Sequence, residues 1–275
     1  MKISATIITF NEAENIRAAC ESVSFADEII VVDSGSTDQT REIAESCGVK
    51  VLVQEWQGFA RQKQFAAASA TNDWIFSLDA DERASPELVQ KILTLKEMHE
   101  EKVAEGYRIA RKNFYMNRWI RGGGWYPDWQ LRFYNRTKAV WKDVLIHESV
   151  QLNSDARLEY LRGGDILHYS IENAAYHHRM IGERYAPLAA QQMFESGRRT
   201  TRLKIATAGL TAFLQTYFLK AGFRDGLPGF CIARFAAHHA FLKHLLLWEM
   251  QTNAEYGIRS AKSEETPHSE LQTPN

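Results

Sequence analysis

The sequence predicts an α/β protein with a mixed β-sheet, helices on both faces of that sheet, and a helical extension towards the C-terminus. Strand-like and helix-like segments alternate four times within the first hundred residues, which is typical of parallel sheets covered by helices. Strand-like segments then follow one another, and from Ser170 the apolar residues return to helical spacing. We therefore expect a sheet domain over residues 1–169, a helical extension over residues 170–255 and a disordered polar tail over residues 256–275.

The first hundred residues contain four strand–helix pairs. The strands are rich in β-branched and other apolar residues, and they are "ISATIITF" (3–10), "DEIIVVD" (27–33), "VKVLVQEW" (49–56) and "DWIFSLDAD" (73–81). The helix after the fourth strand has the clearest start, with Ser85 as its cap and Pro86 in its first turn. This order predicts parallel strands, because a crossover helix returns the chain to the edge from which the previous strand started.

The middle of the chain predicts further strands and few helices. The segments are "GYRIARKNFYMNRWI" (106–120), "WQLRFYNR" (129–136) and "AVWKD" (139–143), with another strand pair within 145–169. The Gly-rich stretch "RGGGWYPDW" joins the first two of these strands. Beyond Ser170 we expect helices, with a kink or break at Pro187 and a second helical region from about Leu203 to Asn253.

The composition is that of a globular protein without excess charge. The chain has 275 residues, 45% of them hydrophobic, and a formal net charge of −1, so we expect no nucleic-acid partner. Its three cysteines form neither a zinc spacing nor a disulfide framework, which indicates reduced thiols and a cytoplasmic location. The sequence has no run of about eighteen apolar residues, and we expect no membrane-spanning helix.

The region from Ser196 to Met250 differs from the rest of the chain in charge. It contains eight Lys and Arg residues against two acids, Asp225 and Glu249, together with many aromatic residues. Such a segment can lie in the interface of an anionic membrane. It can also be a helical pair that packs on the sheet domain and keeps its basic face in water. Both interpretations stay open, and they can hold together.

Polar side chains follow three of the four predicted parallel strands. They are Thr9, Asn11 and Glu12 after the first strand, Asp33 and Ser34 after the second, and Asp79, Asp81 and Glu82 after the fourth. Since parallel strands end at the same edge of a sheet, where α/β proteins bind ligands, we expect these side chains to meet there. A divalent cation would relieve the repulsion between the acids, and Asp81 is the expected ligand.

The alternative is that these acids cap the helices that follow. We accept it for Asp38 and Glu87, and for Glu12 it stays open. Asp79 and Asp81 occupy alternate positions after an apolar strand, and a cap needs one acid, so this pair favours a ligand site. Asp33 precedes an evident loop, "SGSTD", and ligand contact is favoured there as well.

Four segments, "TIITFNEAENI", "EIIVVDSGSTDQT", "GFARQKQFA" and "WIFSLDADE", resemble in this order the inverting glycosyltransferases of family 2, which have the GT-A fold. The resemblance covers roughly residues 1–160. The later segments "GGGWYPDWQLRFYNR", "IHESV" and "GFRDGLPGF" are similar to lipopolysaccharide core β-1,4-glucosyltransferases that act on inner-core heptose. The resemblance implies a GT-A domain, a UDP-sugar donor and a divalent metal ion, Mg²⁺ or Mn²⁺.

The family's functional residues carry over to this chain by position. The resemblance assigns the nucleotide-sugar site to Thr9, Asn11, Glu12, Asp33, Ser34, Arg61, Lys63 and Asp79, and the metal to Asp81. Within that set Arg61 and Lys63 would face the diphosphate, as cations do. Without the resemblance, a solvated helix face is the favoured interpretation of these two residues.

An inverting transfer needs a base that takes the proton of the acceptor hydroxyl. The resemblance places an acid ahead of a strand, and Asp128 in "PDWQLRF" has that position. Many relatives carry a Glu-Asp pair where this chain has Pro127-Asp128, so Glu148 stays the alternative base. The neighbouring His147 is expected to contact the metal or diphosphate, in preference to His168, with a structural role as the alternative for both.

Three aromatic residues, Trp125, Tyr126 and Trp129, flank the candidate base. Aromatic rings stack on the apolar faces of sugars, which predicts an acceptor site, and core packing is the alternative. The resemblance as a whole implies an inverting enzyme that moves a hexose, glucose from UDP-glucose, to a lipid-linked saccharide, the lipopolysaccharide inner core. The protein would act at the cytosolic face of the inner membrane. Another surface polysaccharide or a polyprenyl phosphate as acceptor, and an inactive sugar-nucleotide-binding protein, remain as alternatives.

Overall fold

The computed structural model describes residues 1–141, 150–171 and 173–255 and divides the chain into two compact units. The first, called the sheet unit here, consists of Met1–Trp119 and Trp125–Ser170. The second, the helical unit, consists of Ile120–Gly124 and the chain from Ile171 onward. The predicted tail over 256–275 lies outside the described residues.

A mixed sheet forms the centre of the sheet unit. Its strands follow the order β3-β2-β1-β4-β8-β6-β11-β5, with β7 paired to β6. They are β1 (Ile3–Thr9), β2 (Glu28–Asp33), β3 (Lys50–Val53), β4 (Trp74–Asp79), β5 (Glu82–Ala84), β6 (Gly106–Tyr115), β7 (Arg118–Trp119), β8 (Asp128–Asn135) and β11 (Leu158–Ile171). The strands β1 to β4 are parallel, whereas β8 runs antiparallel to both β4 and β6. A separate antiparallel pair consists of β9 (Ala139–Trp141) and β10 (Val150–Leu152).

Helices cover both faces of this sheet, as the sequence predicts. They are α1 (Ile16–Ser22), α2 (Thr40–Ser46), α3 (Phe59–Ala68) and α4 (Pro86–Glu97). Alternate strand residues point to opposite faces, so Ile7 packs in a core with α1, α2 and α4, and Ile8 packs in a second core with α3. The predicted cap of α4 is confirmed, because the Ser85 hydroxyl accepts a hydrogen bond from the Leu88 amide at 3.2 Å.

Several predicted strands end earlier than expected, and the largest difference is in the strand that begins at Gly106. The strand from Gly106 stops at Tyr115 because Met116 and Asn117 both have positive φ angles, 52° and 57°. Two such residues form a tight hairpin turn, and the chain returns as β7. The strand predicted over 73–81 ends at Asp79, so Asp81 lies in the turn that leads into β5.

The helical unit contains the C-terminal helices. They are α5 (Ala174–Arg179), α6 (Ala186–Glu195), α7 (Arg202–Leu214) and α8 (Gly226–Glu255). A π-helical turn, Met180–Tyr185, precedes Pro187, so the expected break takes this form. A second π-helical turn, Gln215–Leu219, and a 3₁₀ turn, Gly222–Asp225, link α7 to α8. None of the helices in the described part of the chain has the length and apolar character needed to cross a membrane.

The junction between α7 and α8 is closely packed. A Cβ atom on Gly229 would overlap the carbonyl oxygen of Gly222, so the backbone of α8 touches the preceding turn directly. The buried carboxylate of Asp225 accepts hydrogen bonds from the amides of Arg121 and Gly122, at 3.1 and 2.7 Å. The buried carboxylate of Asp225 therefore fixes residues 120–124 to the rest of the helical unit.

Candidate functional site

The acids that follow β4 lie where three strands meet. After Asp79 the chain makes one turn and enters β5, which pairs antiparallel with β11. In that register Glu82 is opposite His168, and the Asp81 carbonyl accepts a hydrogen bond from the Tyr169 amide at 3.0 Å. The turn is thereby fixed against β11, a strand more than eighty residues later in the chain.

A row of alternating charges runs through the site. Lys63 lies 2.9 Å from Asp79, and Arg132 contacts Asp79 at 3.0 Å and Glu82 at 2.9 Å. Arg111 continues the row, with one nitrogen 3.1 Å from Glu82 and another 2.6 Å from Asp128. The row thus links the predicted donor residue Asp79 to the predicted base Asp128, and each acid in it is matched by at least one cation.

This row controls the charge state of its acids. Burial alone would raise the pKa of Asp79, but Lys63 and Arg132 outweigh burial and hold that pKa far below its ordinary value. Burial likewise acts to raise the pKa of Asp128, and Arg111 together with Gln130 lowers it below the usual range. Both carboxylates are therefore ionised at neutral pH.

Asp81 differs from its neighbours because its partner is a histidine. Its Oδ2 atom lies 3.3 Å from Nε2 of His168, and no lysine or arginine pairs with it in the described part of the chain. The other ring nitrogen, Nδ1, lies 2.6 Å from the Asn113 side-chain oxygen, so Asn113 orients the ring. Burial lowers the pKa of His168, and the charge of Asp81 more than compensates and raises it.

A carboxylate and an imidazole side by side are ligands that a divalent metal accepts. Among the described residues, no group of three or more His, Cys, Asp or Glu side chains converges on a metal position. Two protein ligands still fit Mg²⁺ or Mn²⁺, because such ions usually take their remaining ligands from water and substrate phosphates. The predicted residues His147 and Glu148 lie outside the described residues.

The residues predicted to hold the nucleoside form one hydrogen-bonded turn system. Asp33 is fully buried, and its carboxylate accepts hydrogen bonds from the amides of Gly35 and Ser36, both at 2.9 Å, and from the Ser36 hydroxyl. The amide of Asn11 donates to the same hydroxyl at 2.9 Å. The ends of β1 and β2 are thus joined by polar bonds, and Asp33 shapes its own loop.

Three other predicted residues lie beside this system. Thr9 is buried at the end of β1. The Ser34 hydroxyl accepts a hydrogen bond from Gln62 of α3 at 2.9 Å. Glu12 accepts one from the Asn15 side chain at 2.8 Å and starts the turn before α1. Their contact with a nucleoside stays a prediction.

The two cations of α3 have different surroundings. Lys63 is only 2% exposed and lies against Asp79, whereas Arg61 is exposed on the first turn of the same helix. A diphosphate in solution could reach Arg61 directly. The expected contact of both residues with a diphosphate stays a prediction.

The three predicted acceptor residues are half-buried and held by polar partners. The Tyr126 hydroxyl donates to Asp165 at 3.0 Å, and the Trp125 carbonyl accepts from Asn113 at 2.9 Å. The Trp129 ring meets the Tyr160 ring edge-on, with centroids 4.9 Å apart. All three residues lie next to Asp128 in the sequence or within three residues of it, and Asp128 is the first residue of β8. Their contact with an acceptor stays a prediction.

Sequence reasoning missed two arginines and gave too little weight to one histidine. Arg132 is buried within the apolar strand β8, and Arg111 faces Asp128 across the β6–β8 register. A charged residue between Leu131 and Phe133 in a predicted buried strand is a signal that could have identified Arg132. No local signal identifies His168, because its position depends on the pairing of β11 with β5.

Comparisons with known proteins show the family to which this chain belongs. The family model described as Glycosyl transferase family 2 matches residues 4–160. An uncharacterized glycosyltransferase of Rickettsia bellii is 33% identical over 94% of this chain and 90% of its own. The lipopolysaccharide core biosynthesis glycosyltransferase LpsC of Rhizobium meliloti is 31% identical over 88% of this chain and 90% of its own. Among solved structures, TarS 1-349 of S. aureus in complex with UDP-GlcNAc has a TM-score of 0.47 and 16% identity, and the match covers 94% of this chain and 92% of that one.

Proposed function

Because the chain belongs to glycosyl transferase family 2 and is a glycosyltransferase, we propose that it transfers a hexose, glucose from UDP-glucose, with inversion to a lipid-linked saccharide. The saccharide is the lipopolysaccharide core. One observation carries the proposal: of the acids at the site, Asp79, Glu82 and Asp128 are neutralised by arginine or lysine, whereas Asp81 pairs with a histidine. The site thus separates a candidate metal ligand from a candidate base.

The donor lies along the edge formed by the ends of β1, β2 and β4. The turns at Asn11 and Asp33 receive the uridine, and the exposed Arg61 approaches the diphosphate. Asp79 is held in place by Lys63 and Arg132, so its carboxylate can accept a hydrogen bond from a ribose or sugar hydroxyl without moving.

Asp81 and His168 would hold the metal ion, with Asn113 fixing the histidine ring. When bound, Mg²⁺ or Mn²⁺ supplies positive charge that stabilises the UDP leaving group. The residues fit such an ion because its other ligands would be diphosphate oxygens and water. His147 remains a further candidate ligand.

Asp128 takes the proton from the acceptor hydroxyl as the oxygen of that hydroxyl bonds to the anomeric carbon of the donor sugar. The bond from that carbon to the diphosphate breaks in the same displacement, and UDP leaves with the bonding electrons. No covalent sugar–enzyme intermediate forms. Arg111 and Gln130, at 2.8 and 2.7 Å from the two carboxylate oxygens, orient the base, and Glu148 stays the alternative base.

The acceptor binds against Trp125, Tyr126 and Trp129, whose rings offer flat apolar surface beside Asp128. The lipopolysaccharide core as acceptor is supported by the relative from Rhizobium meliloti, whose name states that pathway and which aligns over nearly its whole length. Another surface polysaccharide would use the same base and the same donor edge.

Calorimetry of UDP binding, with and without Mn²⁺, tests the proposal. We expect binding to wild-type protein to require the metal, and Asp81→Asn to remove the metal-dependent part while circular dichroism stays unchanged. Asp155→Asn, at an exposed acid, is the matched control and should bind UDP like the wild type. Asp128→Asn should bind UDP normally and release no UDP from UDP-glucose with lipopolysaccharide core acceptor.

Two results would contradict the proposal. UDP binding that depends neither on Mn²⁺ nor on Asp81 would refute the assignment of Asp81 as a metal ligand. Transfer by Asp128→Asn at the wild-type rate would refute the assignment of Asp128 as the base, and Glu148 would then be tested.

A further inference from the structure

The exposed apolar side chains of this protein are concentrated on α7, α8 and the turns between them. Of eighteen large hydrophobic residues that are exposed in the described part of the chain, ten fall between Leu203 and Leu245. Isolated exposed apolar residues need no explanation, but a continuous patch marks an interaction surface.

These residues lie on one face of each helix. On α7 they are Leu203, Leu210 and Leu214, spaced by seven and four residues. On α8 they are Leu227, Phe230, Phe241 and Leu245, also at helical spacing. Residues at such spacing project from the same side of a helix, so each helix leaves one apolar stripe exposed. A groove of about 610 Å³ between the two helices, lined by Leu210, Phe230 and Phe241 among others, joins the stripes.

The turns that connect α7 to α8 carry the most exposed apolar side chains. Leu219 is 83% exposed, and Phe218 and Phe223 are exposed beside it. Lys220 follows Leu219 in the sequence, Arg224 follows Phe223, and both cations are also exposed. Exposed apolar residues with cations beside them are the pattern of a segment that inserts into the headgroup region of a bilayer.

Positive charge predominates on this face, and Glu249, one helical turn beyond Leu245 on α8, is an exposed acid. Between Thr201 and Arg234 the sequence contains five cations, which are Arg202, Lys204, Lys220, Arg224 and Arg234. The one acid in that range, Asp225, is 1% exposed and is bonded to the amides of Arg121 and Gly122. The partner must therefore combine an apolar interior with a negatively charged surface.

We propose that this surface, formed by the exposed stripes of α7 and α8 and the turns between them, docks on an anionic lipid bilayer. The tip around Leu219 enters the interface, and the five cations contact lipid phosphates. No helix spans the bilayer in this arrangement. The inference rests on the proposed function, because an acceptor that is linked to lipid makes such docking useful.

A second copy of the chain is a poorer occupant of this surface. Two such faces would bring ten cations together against only two copies of Glu249, the exposed acid one turn beyond Leu245 on α8. Like charges at an interface oppose association.

Flotation of the full-length protein with lipid vesicles tests the inference. The vesicles contain phosphatidylcholine alone or phosphatidylcholine with about 30% phosphatidylglycerol, which gives the surface the negative potential that attracts cationic segments. We expect binding to the anionic vesicles only, and weaker binding at high salt. Leu219→Glu should reduce binding to anionic vesicles roughly tenfold or more, since a charge replaces a leucine that the bilayer would bury. Lys220→Gln with Arg224→Gln should reduce it to a similar extent.

Met98→Glu, at an exposed apolar residue of the sheet unit, is the matched control and should bind vesicles like the wild type. All variants should bind UDP with Mn²⁺ as the wild type does. UDP binding and vesicle binding are therefore separate tests: a wild-type protein that binds no UDP would refute the proposed function and leave this inference standing. Equal binding to neutral and anionic vesicles, or none to either, would overturn the inference. So would a dimer in light scattering that Leu219→Glu converts to a monomer without any vesicle binding.

Discussion

Arg111 holds Asp128 through two nitrogens that both contact the Oδ2 atom, at 2.8 and 2.6 Å, across the β6–β8 register. Arg111 also contacts Glu82 at 3.1 Å. A base held by an arginine is fixed in direction but has reduced proton affinity. The site therefore favours positioning and permanent ionisation of Asp128 over basic strength.

Arg111→Gln should raise the pKa of Asp128, because burial then acts without the arginine's charge. The pKa of Asp128 in the wild type lies below that of an ordinary aspartate. The acid limb, which is the fall of kcat/KM that accompanies protonation of this base, is therefore expected only at low pH. In Arg111→Gln that limb should move up by about one pH unit. The measurement is the pH dependence of UDP release from UDP-glucose in the presence of acceptor. Arg108→Gln, on the same strand, is the control, and an unmoved limb in Arg111→Gln would contradict the role of Arg111.

Glu82→Gln should destabilise the sheet unit. The buried carboxylate of Glu82 accepts from Arg111 and Arg132 and also from the Asp79 amide at 3.0 Å. An amide of the same shape leaves two arginines with less compensating charge, and losing one partner of a buried ion pair costs about 3 kcal/mol. Urea unfolding followed by tryptophan fluorescence measures the change. The exposed Glu55→Gln, in a loop of the same unit, should stay within about 0.5 kcal/mol of the wild type, and an equal stability of the two variants would refute the prediction.

Gly229→Ala should destabilise the helical unit, because the added Cβ would overlap the Gly222 carbonyl. Backbone atoms cannot yield as a flexible side chain can, so we expect a cost of about 2 kcal/mol or more. Gly182→Ala is the matched control in the same unit, since a Cβ there meets no atom within 4 Å. It should be neutral or stabilising by about 0.5 kcal/mol. Thermal unfolding of both variants is the measurement. Equal unfolding midpoints would contradict the prediction, because they would show that α8 can move away from the Gly222 carbonyl without loss of stability.

His177 should make stability fall in acid. Burial lowers the pKa of His177 to about 4, against 6.5 for a free histidine, so the unfolded chain takes up a proton before the folded chain does. The stability is therefore complete above about pH 6.5 and decreases as the pH falls towards 4, by about 2 kcal/mol at pH 5. His177→Phe keeps a ring against Phe235 and should flatten this slope. The exposed His99→Gln should leave it unchanged, and so a slope in His177→Phe as steep as the wild type would exclude this histidine as the cause.

Much of the fold could be predicted from local patterns. The four strand–helix pairs have strong periodicity and capping signals such as Ser85, and the mixed sheet with helices on both faces is confirmed. The hairpin at Met116 was missed because methionine rarely has a positive φ angle and gives no turn signal. Asp79, Asp81 and Glu82 were visible in the sequence because they follow an apolar strand, whereas Asp128 was identified only from the resemblance.

The sequence by itself determined which strands are parallel and that acids collect at their carboxyl ends, because both follow from patterns only a few residues long. Only the tertiary structure decided which acid pairs with which cation. Arg111 reaches Asp128 through the register of β6 with β8, and His168 reaches Asp81 through the register of β11 with β5. Arg132, on β8, reaches Glu82 because β8 pairs antiparallel with β4, the strand before that acid. A register joins residues that are far apart in the chain, and a shift of one residue would turn each of these side chains to the other face of the sheet.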